Sequence, residues 1–237
     1  MNKFIFDVDG TLTPSRGRMD FDFRAFFNTF CLVNDVYLVT GSDKPKTIEQ
    51  VGETYNLCKR VYNCSGNDVW ERDINIRSNK WILPEDAHKW LSKILMQSQF
   101  SLRTGLHFEH RPGMVNFSIV GRNANQEQRK MYVDWDTSQN ERNEIAKEFN
   151  YMYPDLEARP GGETGIDIAP KGADKSQILV DFDKNDFIVF FGDRMDEGGN
   201  DYPLANELFN NYQGVNHSVD SWKDTWEILR NEYSTNR

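Results

Sequence analysis

Apolar positions along this chain follow two different rhythms, and the changes between them mark out its organisation. The run Phe4-Ile5-Phe6 reads as a buried strand that ends at two acidic residues and a glycine. Residues 21–32 carry apolar side chains at helical spacing, residues 35–40 read as a second strand ending at Gly41, and residues 59–64 as a short third strand. Before the third strand, Ser42-Asp43 reads as a helix start, with Asp43 able to accept from the free amides of a helix that runs to Gly52. The middle of the chain differs. A helix is predicted over residues 84–99, then two alternating runs, 106–110 and 114–119, joined as a hairpin through Arg111-Pro112-Gly113. Helices over 126–132 and 138–151 and short strands over 156–159 and 165–168 follow. The first rhythm then returns with a helix over 174–182, the apolar strand 187–191 closing on Gly192-Asp193, a strand over 212–217 and a helix over 222–232. Residues 234–237 read as a frayed tail.

Strands alternating with helices imply an α/β fold with a three-layered, parallel-sheet, Rossmann-like core, whereas hairpins with helices on one side imply an inserted α+β domain. The expected division is residues 1–79 and 173–237 for the core and 80–172 for the insert. In such cores ligands bind beyond the carboxyl ends of the strands, where Asp9, Thr40 and Gly41 all fall.

Composition narrows the partners. The 237 residues carry 28 basic and 37 acidic side chains, a formal charge of −9 that argues against general nucleic-acid binding. No apolar run approaches the roughly 20 residues needed to span a bilayer, and no signal-peptide pattern precedes the first strand. No membrane partner is therefore expected, and the expected location is cytoplasmic. Cys31, Cys58 and Cys64 lack metal-binding spacing and read as reduced, structural thiols.

The chemistry is carried by two acidic motifs. Successive strand side chains point to opposite faces, so Asp7 and Asp9 can converge only where the strand ends and Gly10 bends the backbone. A carboxylate there can attack phosphorus and form an aspartyl-phosphate while its neighbour moves protons. The second motif, Gly192-Asp193-Arg194-Met195-Asp196-Glu197-Gly198-Gly199-Asn200-Asp201, places acids and flexible glycines after a buried strand. Mg2+ prefers oxygen ligands and keeps several waters, so Asp7, Asp193 and the main-chain carbonyl of Asp9 would make an incomplete protein shell. Asp201, or less favourably Asp196 or Asn200, would bind directly or orient that shell.

Asp7-Val8-Asp9-Gly10-Thr11 resembles the first motif of the haloacid dehalogenase superfamily, which implies Asp7 as nucleophile and Asp9 as general acid/base. The resemblance further implies Lys175, in preference to Lys171, as the phosphate-stabilising lysine. It implies Thr40, with Ser42 as competitor, as the hydroxyl of the remaining motif. Arg16, Gly41-Ser42-Asp43, the stretch from Phe108 to Asn116, Gly121-Arg122, Gln126-Glu127-Gln128-Arg129, Gly161-Gly162, Asp167 and Gly198-Gly199-Asn200-Asp201 follow in order, and together they resemble the eukaryotic-type phosphomannomutases. That resemblance implies a cap-bearing enzyme that depends on Mg2+ and a hexose bisphosphate activator, acts on hexose phosphates and forms a homodimer through its caps. Arg16 would contact substrate from the core, Arg111, Arg122 and Arg129 would hold the distal phosphate, and Asp167 would meet sugar hydroxyls. Closure of the cap would exclude water.

The chain departs from the family pattern in four places. Cys64-Ser65-Gly66-Asn67 replaces the usual Asn-Gly, Gly165 replaces a serine two residues before Asp167, and Thr40-Gly41 replaces Gly-Gly. Residues 202–207 lack a clear second ion site. The alternatives are a sugar-phosphate phosphatase, in which water intercepts phospho-Asp7, and a catalytically silent binding protein, which the presence of Asp7, Asp9, Lys175 and Asp193 disfavours.

Overall fold

The computed structural model describes residues 2–233; the expected tail at 234–237 lies outside the described residues. The chain forms two compact units: one combines the residues up to Ser78 with those from Ala173 onward, the other is Asn79–Gly172.

The first unit is built on a seven-stranded sheet. In chain order its strands are β1 (Lys3–Phe6), β2 (Asp35–Val39), β3 (Arg60–Asn63), β4 (Asp68–Glu71), β5 (Ile74–Ser78), and, after the second unit's β6 to β9, β10 (Phe187–Gly192) and β11 (Gln213–Ser218). The spatial order is β11-β10-β1-β2-β3-β4-β5, with the first five parallel and the last two antiparallel. Alternation along the central strands divides the core into two faces. Phe4, Phe6, Val36, Leu38, Val189 and Phe191 pack on one side with Phe23, Phe27 and Phe30 of α1 (Phe21–Val33). Ile5, Val39, Ile188 and Phe190 pack on the other with Ile178 and Leu179 and, from a later helix, Leu204 and Leu208. Phe6 stacks on Phe191 with ring centroids 4.8 Å apart and meets Phe27 edge-on at 5.0 Å, so the central strands are locked below the site.

Helix α2 (Lys44–Val51) begins where Asp43 accepts from the Lys46 amide and ends at Gly52, whose φ of 62° supplies the left-handed turn. The short α3 (Thr54–Leu57) and the β4–β5 hairpin were not expected. Every residue of β5 is at least partly solvated, which removes the periodic signal that reveals a strand. Arg60 and Arg77 anchor that edge by sharing Asp181.

The second unit is a four-stranded antiparallel sheet, order β6-β7-β9-β8, comprising β6 (Phe108–Arg111), β7 (Met114–Phe117), β8 (Leu156–Gly161) and β9 (Gly165–Pro170). One face presents Val115, Phe117, Ala158, Ile166 and Ile168 to α4 (Glu85–Gln97), α5 (Gln126–Gln139) and α6 (Glu141–Met152). Arg111 belongs to β6 and pairs with Met114, so the turn is Pro112-Gly113 alone. Helix α5 runs seven residues past the expected end at 132, because Trp135 packs on the core and Asp136 receives Arg142 across the left-handed Asn140.

Candidate functional site

Strand β1 ends at Phe6, and the backbone then turns: Leu12 and Thr13 amides donate to the Val8 carbonyl and Gly10 donates to Thr13. Gly10 takes φ of 82°, and a Cβ there would lie 2.3 Å from Asp193 Oδ2. Glycine is thus required both for the bend and for the approach of a site carboxylate. At the end of β10, Gly192 serves the close approach alone, since its Cβ would stand 2.8 Å from the Asp201 carboxylate.

Asp7, Asp193 and Asp201 converge in this space, with one carboxylate oxygen from each within 4.8 Å of the others. Lys175 comes from the segment whose Ile178 and Leu179 pack on the same sheet face as Ile5 and Phe190. Its expected helix is a 3₁₀ segment, Lys175–Asp181, started by Asp174, whose side chain accepts from the Ser176 amide. The buried ammonium donates to Asp7 Oδ1 at 2.5 Å and to Asp201 Oδ1 at 2.6 Å. Asp201 Oδ2 accepts from the Arg194 amide at 3.1 Å, and Thr11 Oγ1 donates to Asp7 Oδ2 at 3.4 Å.

Burial pushes the Asp7 carboxyl well above the usual carboxylate range; Lys175 pulls it back, while Asp201 and Asp193 raise it further. Asp193 is pushed up to about 6, first by burial and then by Asp201. For Lys175 burial disfavours the ammonium, but Asp201 and Asp7 outweigh that and hold it charged. Three carboxylates around one ammonium leave negative charge in excess in a largely buried oxygen-donor site. That donor set fits a hard divalent cation such as Mg2+.

Asp9 is held apart from this cluster. Its Oδ1 accepts from the Arg16 amide at 2.6 Å and from Gln50 Nε2 at 2.8 Å. Arg16 itself sits at φ of 57°, an uncommon conformation for a side-chain-bearing residue. The loop that carries Arg16 is therefore tied to the Asp9 carboxylate. Thr40 closes β2: its amide donates to Tyr62 and its hydroxyl accepts from the Ser42 amide at 3.1 Å. The adjacent turn Cys64-Ser65-Gly66 has positive φ at all three residues, 48°, 57° and 95°. Gln177 donates to the Ser65 carbonyl at 2.7 Å, and a Cβ at Gly66 would lie 2.8 Å from Ile178. This turn thereby braces the segment that delivers Lys175. Gln50 and Gln177 were not singled out from sequence, because glutamine carries no motif of its own, and the Cys64 turn stood out there only as a departure from the family pattern.

The second unit assembles a separate polar group on the sheet face opposite its helices. Glu109 pairs across the sheet with Asn116, Asn116 with Asp167, and Asp167 with Arg159, so four polar side chains form a row. Glu109 Oε2 receives Arg111 at 2.6 Å and Arg122 at 2.8 Å, and Arg129 meets Glu163 at 3.0 Å. Burial pulls the Arg122 guanidinium down from its ordinary value; Glu109 opposes this, and Arg111 and Arg129 add to it. The three arginines and Asp167 therefore sit within electrostatic reach of one another. The acidic partners Glu109 and Glu163 were missed from sequence, as was Arg159, because exposed charged residues are common on sheet faces.

Residues 23–235 match the family model described as eukaryotic phosphomannomutase. A phosphomannomutase of Arabidopsis thaliana is 34% identical over 234 residues, which span 93% of this chain and 92% of the relative. The phosphomannomutase of Saccharomyces cerevisiae is 34% identical over 240 residues, 95% of this chain and 91% of the relative. Among solved structures, the C-terminal domain of C. albicans trehalose-6-phosphate phosphatase superposes with a TM-score of 0.61 at 16% identity, covering 96% of this chain and 90% of that one. At that identity the likeness is one of fold.

Proposed function

Because the chain belongs to the eukaryotic phosphomannomutase family, we propose that it interconverts mannose 6-phosphate and mannose 1-phosphate by way of an aspartyl-phosphate and a hexose bisphosphate. The observation that carries this reading is the cluster of Asp7, Asp193 and Asp201 at the carboxyl ends of the central strands, with Lys175 bridging the buried pair Asp7 and Asp201.

Asp7 is the nucleophile, phosphorylated at the outset by a hexose bisphosphate activator. Its phosphoryl group passes to the free hydroxyl of a bound hexose phosphate, and Asp9 takes the hydroxyl proton. The resulting bisphosphate turns end for end. A P–O bond to Asp7 then forms at the other phosphate as the sugar P–O bond breaks, and Asp9 returns the proton to the departing sugar oxygen. The Arg16 amide and Gln50 orient Asp9 for both transfers. Lys175 balances charge on Asp7 and on the phosphoryl oxygens. Mg2+, held by Asp7, Asp193 and Asp201 together with the Asp9 main-chain carbonyl, would supply further positive charge to the phosphoryl group. Arg16 contacts the sugar phosphate from the core. Arg111, Arg122 and Arg129 bind whichever phosphate is not reacting, since a planar guanidinium grips phosphate bidentately at any working pH. Thr40 contributes its hydroxyl to the phosphate, and Asp167 accepts from sugar hydroxyls. The same reading includes a homodimer through the second unit, which light scattering of the purified protein tests.

The deciding assay incubates the protein with Mg2+, mannose 1-phosphate and a trace of hexose bisphosphate, and follows isomerised sugar phosphate and free phosphate together. Isomer without phosphate release is expected. Stoichiometric phosphate release would replace the mutase with a hydrolase, and Asp7→Asn retaining turnover would overturn the nucleophile.

A further inference from the structure

Each of the three arginines in the second unit is engaged by a carboxylate, but the two carboxylates that do so differ. Glu109 lies within strand β6, its side chain is 28% exposed, and it holds Arg111 and Arg122 together. Glu163 lies in the turn between β8 and β9, and its side chain is 59% exposed, against 14% for the Arg129 that it holds. Arg129 Nε and Nη2 both donate to Glu163 Oε2, at 3.2 and 3.0 Å. Those two donors make up one bidentate edge of the guanidinium fork, of the kind that grips a phosphate. A phosphate that takes this edge has to displace Glu163.

The backbone on either side of Glu163 is tied down, so its side chain can leave without carrying the turn with it. Arg142, itself held by Asp136 at 2.8 Å, donates to the carbonyls of Gly162 at 3.0 Å and Gly165 at 3.3 Å. Ser118 Oγ donates to the Thr164 carbonyl at 2.9 Å, and Thr164 is 1% exposed. An exposed side chain on so fixed a backbone changes rotamer in picoseconds to nanoseconds, far faster than a catalytic cycle. Three guanidiniums set against Glu109 and Glu163 leave one positive charge in this group, and neutralising Glu163 would leave two.

We propose that Glu163 is a displaceable counter-anion that competes with the distal phosphate for Arg129, and so sets how tightly the second unit holds a sugar phosphate. The proposal rests on the mannose phosphate reading above, and it suits a reaction in which a bisphosphate must turn end for end. When the phosphate lets go of Arg129, Glu163 takes its place, so release does not strand a bare guanidinium.

The test uses the full chain as parent, E163Q, R129A and R129A/E163Q. It measures kcat and KM for mannose 1-phosphate in Mg2+, thermal melting, and the binding of inorganic phosphate by calorimetry in EDTA, which keeps Mg2+ from drawing phosphate to Asp7. A solvent-exposed ion pair shifts an equilibrium constant by up to about fivefold. E163Q should therefore lower both KM and the phosphate Kd by roughly two- to fivefold, without raising kcat. Its KM should also climb more steeply with salt than that of the parent, because the group has gained one positive charge. R129A should raise KM, and in the R129A background most of the gain from E163Q should vanish. Unchanged or higher KM and Kd in E163Q overturn the proposal, and with a lowered melting temperature they make Glu163 a brace for Arg129. A gain equally large without Arg129 assigns the effect to net charge alone and also overturns it. If the parent does not isomerise mannose 1-phosphate, the functional reading fails first, and the phosphate titrations still decide whether Glu163 competes for Arg129.

Discussion

Replacing Lys175 by methionine removes one positive charge from a site that holds three carboxylates while nearly preserving the volume of the side chain. Lys175 is 1% exposed and bonds to Asp7 at 2.5 Å and Asp201 at 2.6 Å, so neither acid can turn to bulk water when the ammonium is lost. Removing one partner of a buried ion pair costs about 3–5 kcal/mol, because the remaining charge stays buried without compensation. Methionine recovers part of the packing, and one of the acids can take up a proton, so the lower end of that range is expected. For a chain of this size about 3 kcal/mol corresponds to a fall of roughly 6–12 °C in the melting temperature. The assay is urea and thermal unfolding of K175M beside the parent, both in EDTA. The gap should narrow in saturating Mg2+, which supplies the cationic charge that the variant lacks, while phosphoryl transfer stays abolished in both conditions. An unchanged unfolding midpoint in EDTA would refute the buried three-residue ion network.

Three further outcomes follow from the same geometry. Gly10→Ala places a Cβ at φ of 82° and 2.3 Å from Asp193 Oδ2, so the variant should keep its circular dichroism spectrum but lose about 100-fold in kcat through a displaced carboxylate; parental kcat would contradict the approach. Chelation should lower the melting temperature of the parent, and Mg2+ at about 100 times its Kd should restore about 2.7 kcal/mol; Asp193→Asn should lose that response when followed by calorimetry. Burial alone would raise the Asp181 carboxyl, but Arg77 and Arg60 outweigh it and hold Asp181 below its ordinary value of 3.8. Its stabilising contribution is therefore present above that value and lost as pH falls through the lower folded-state pKa. The stability advantage of the parent over Asp181→Asn should be constant near neutrality and shrink below about pH 4 in urea titrations. An advantage that grows with acid would reverse the sign.

The elements that were legible in the sequence are those with a buried stripe or a strong cap. Helix α1 has Phe23, Phe27 and Phe30 on one side, and α2 has Asp43 to start it and Gly52 to stop it, so both were readable within a residue or two. The β4–β5 hairpin was not legible, because β5 has no buried face and is held by Asn75 on Asp68 and by Arg77 on Asp181. The end of α5 was misjudged for a related reason: beyond Tyr132 the helix is largely polar, and its continuation depends on Trp135, Asp136 and the Arg142 contact. Such pairings are tertiary, and local periodicity does not encode them.

The same division applies to the site. Sequence by itself determined the chemical types: two acids at a strand end, an acidic glycine loop after a buried strand, a lysine in a helix start and a set of arginines in the inserted unit. These are local properties, set by residue type and by the turn that each glycine permits. Only the tertiary structure decided which of them meet. Lys175 reaches Asp7 across 168 residues of sequence and takes Asp201 as well, while Asp9 is turned instead onto the Arg16 amide and Gln50. The physical reason is that strand order and register place side chains distant in sequence within a few ångströms, where burial and charge then choose the partners.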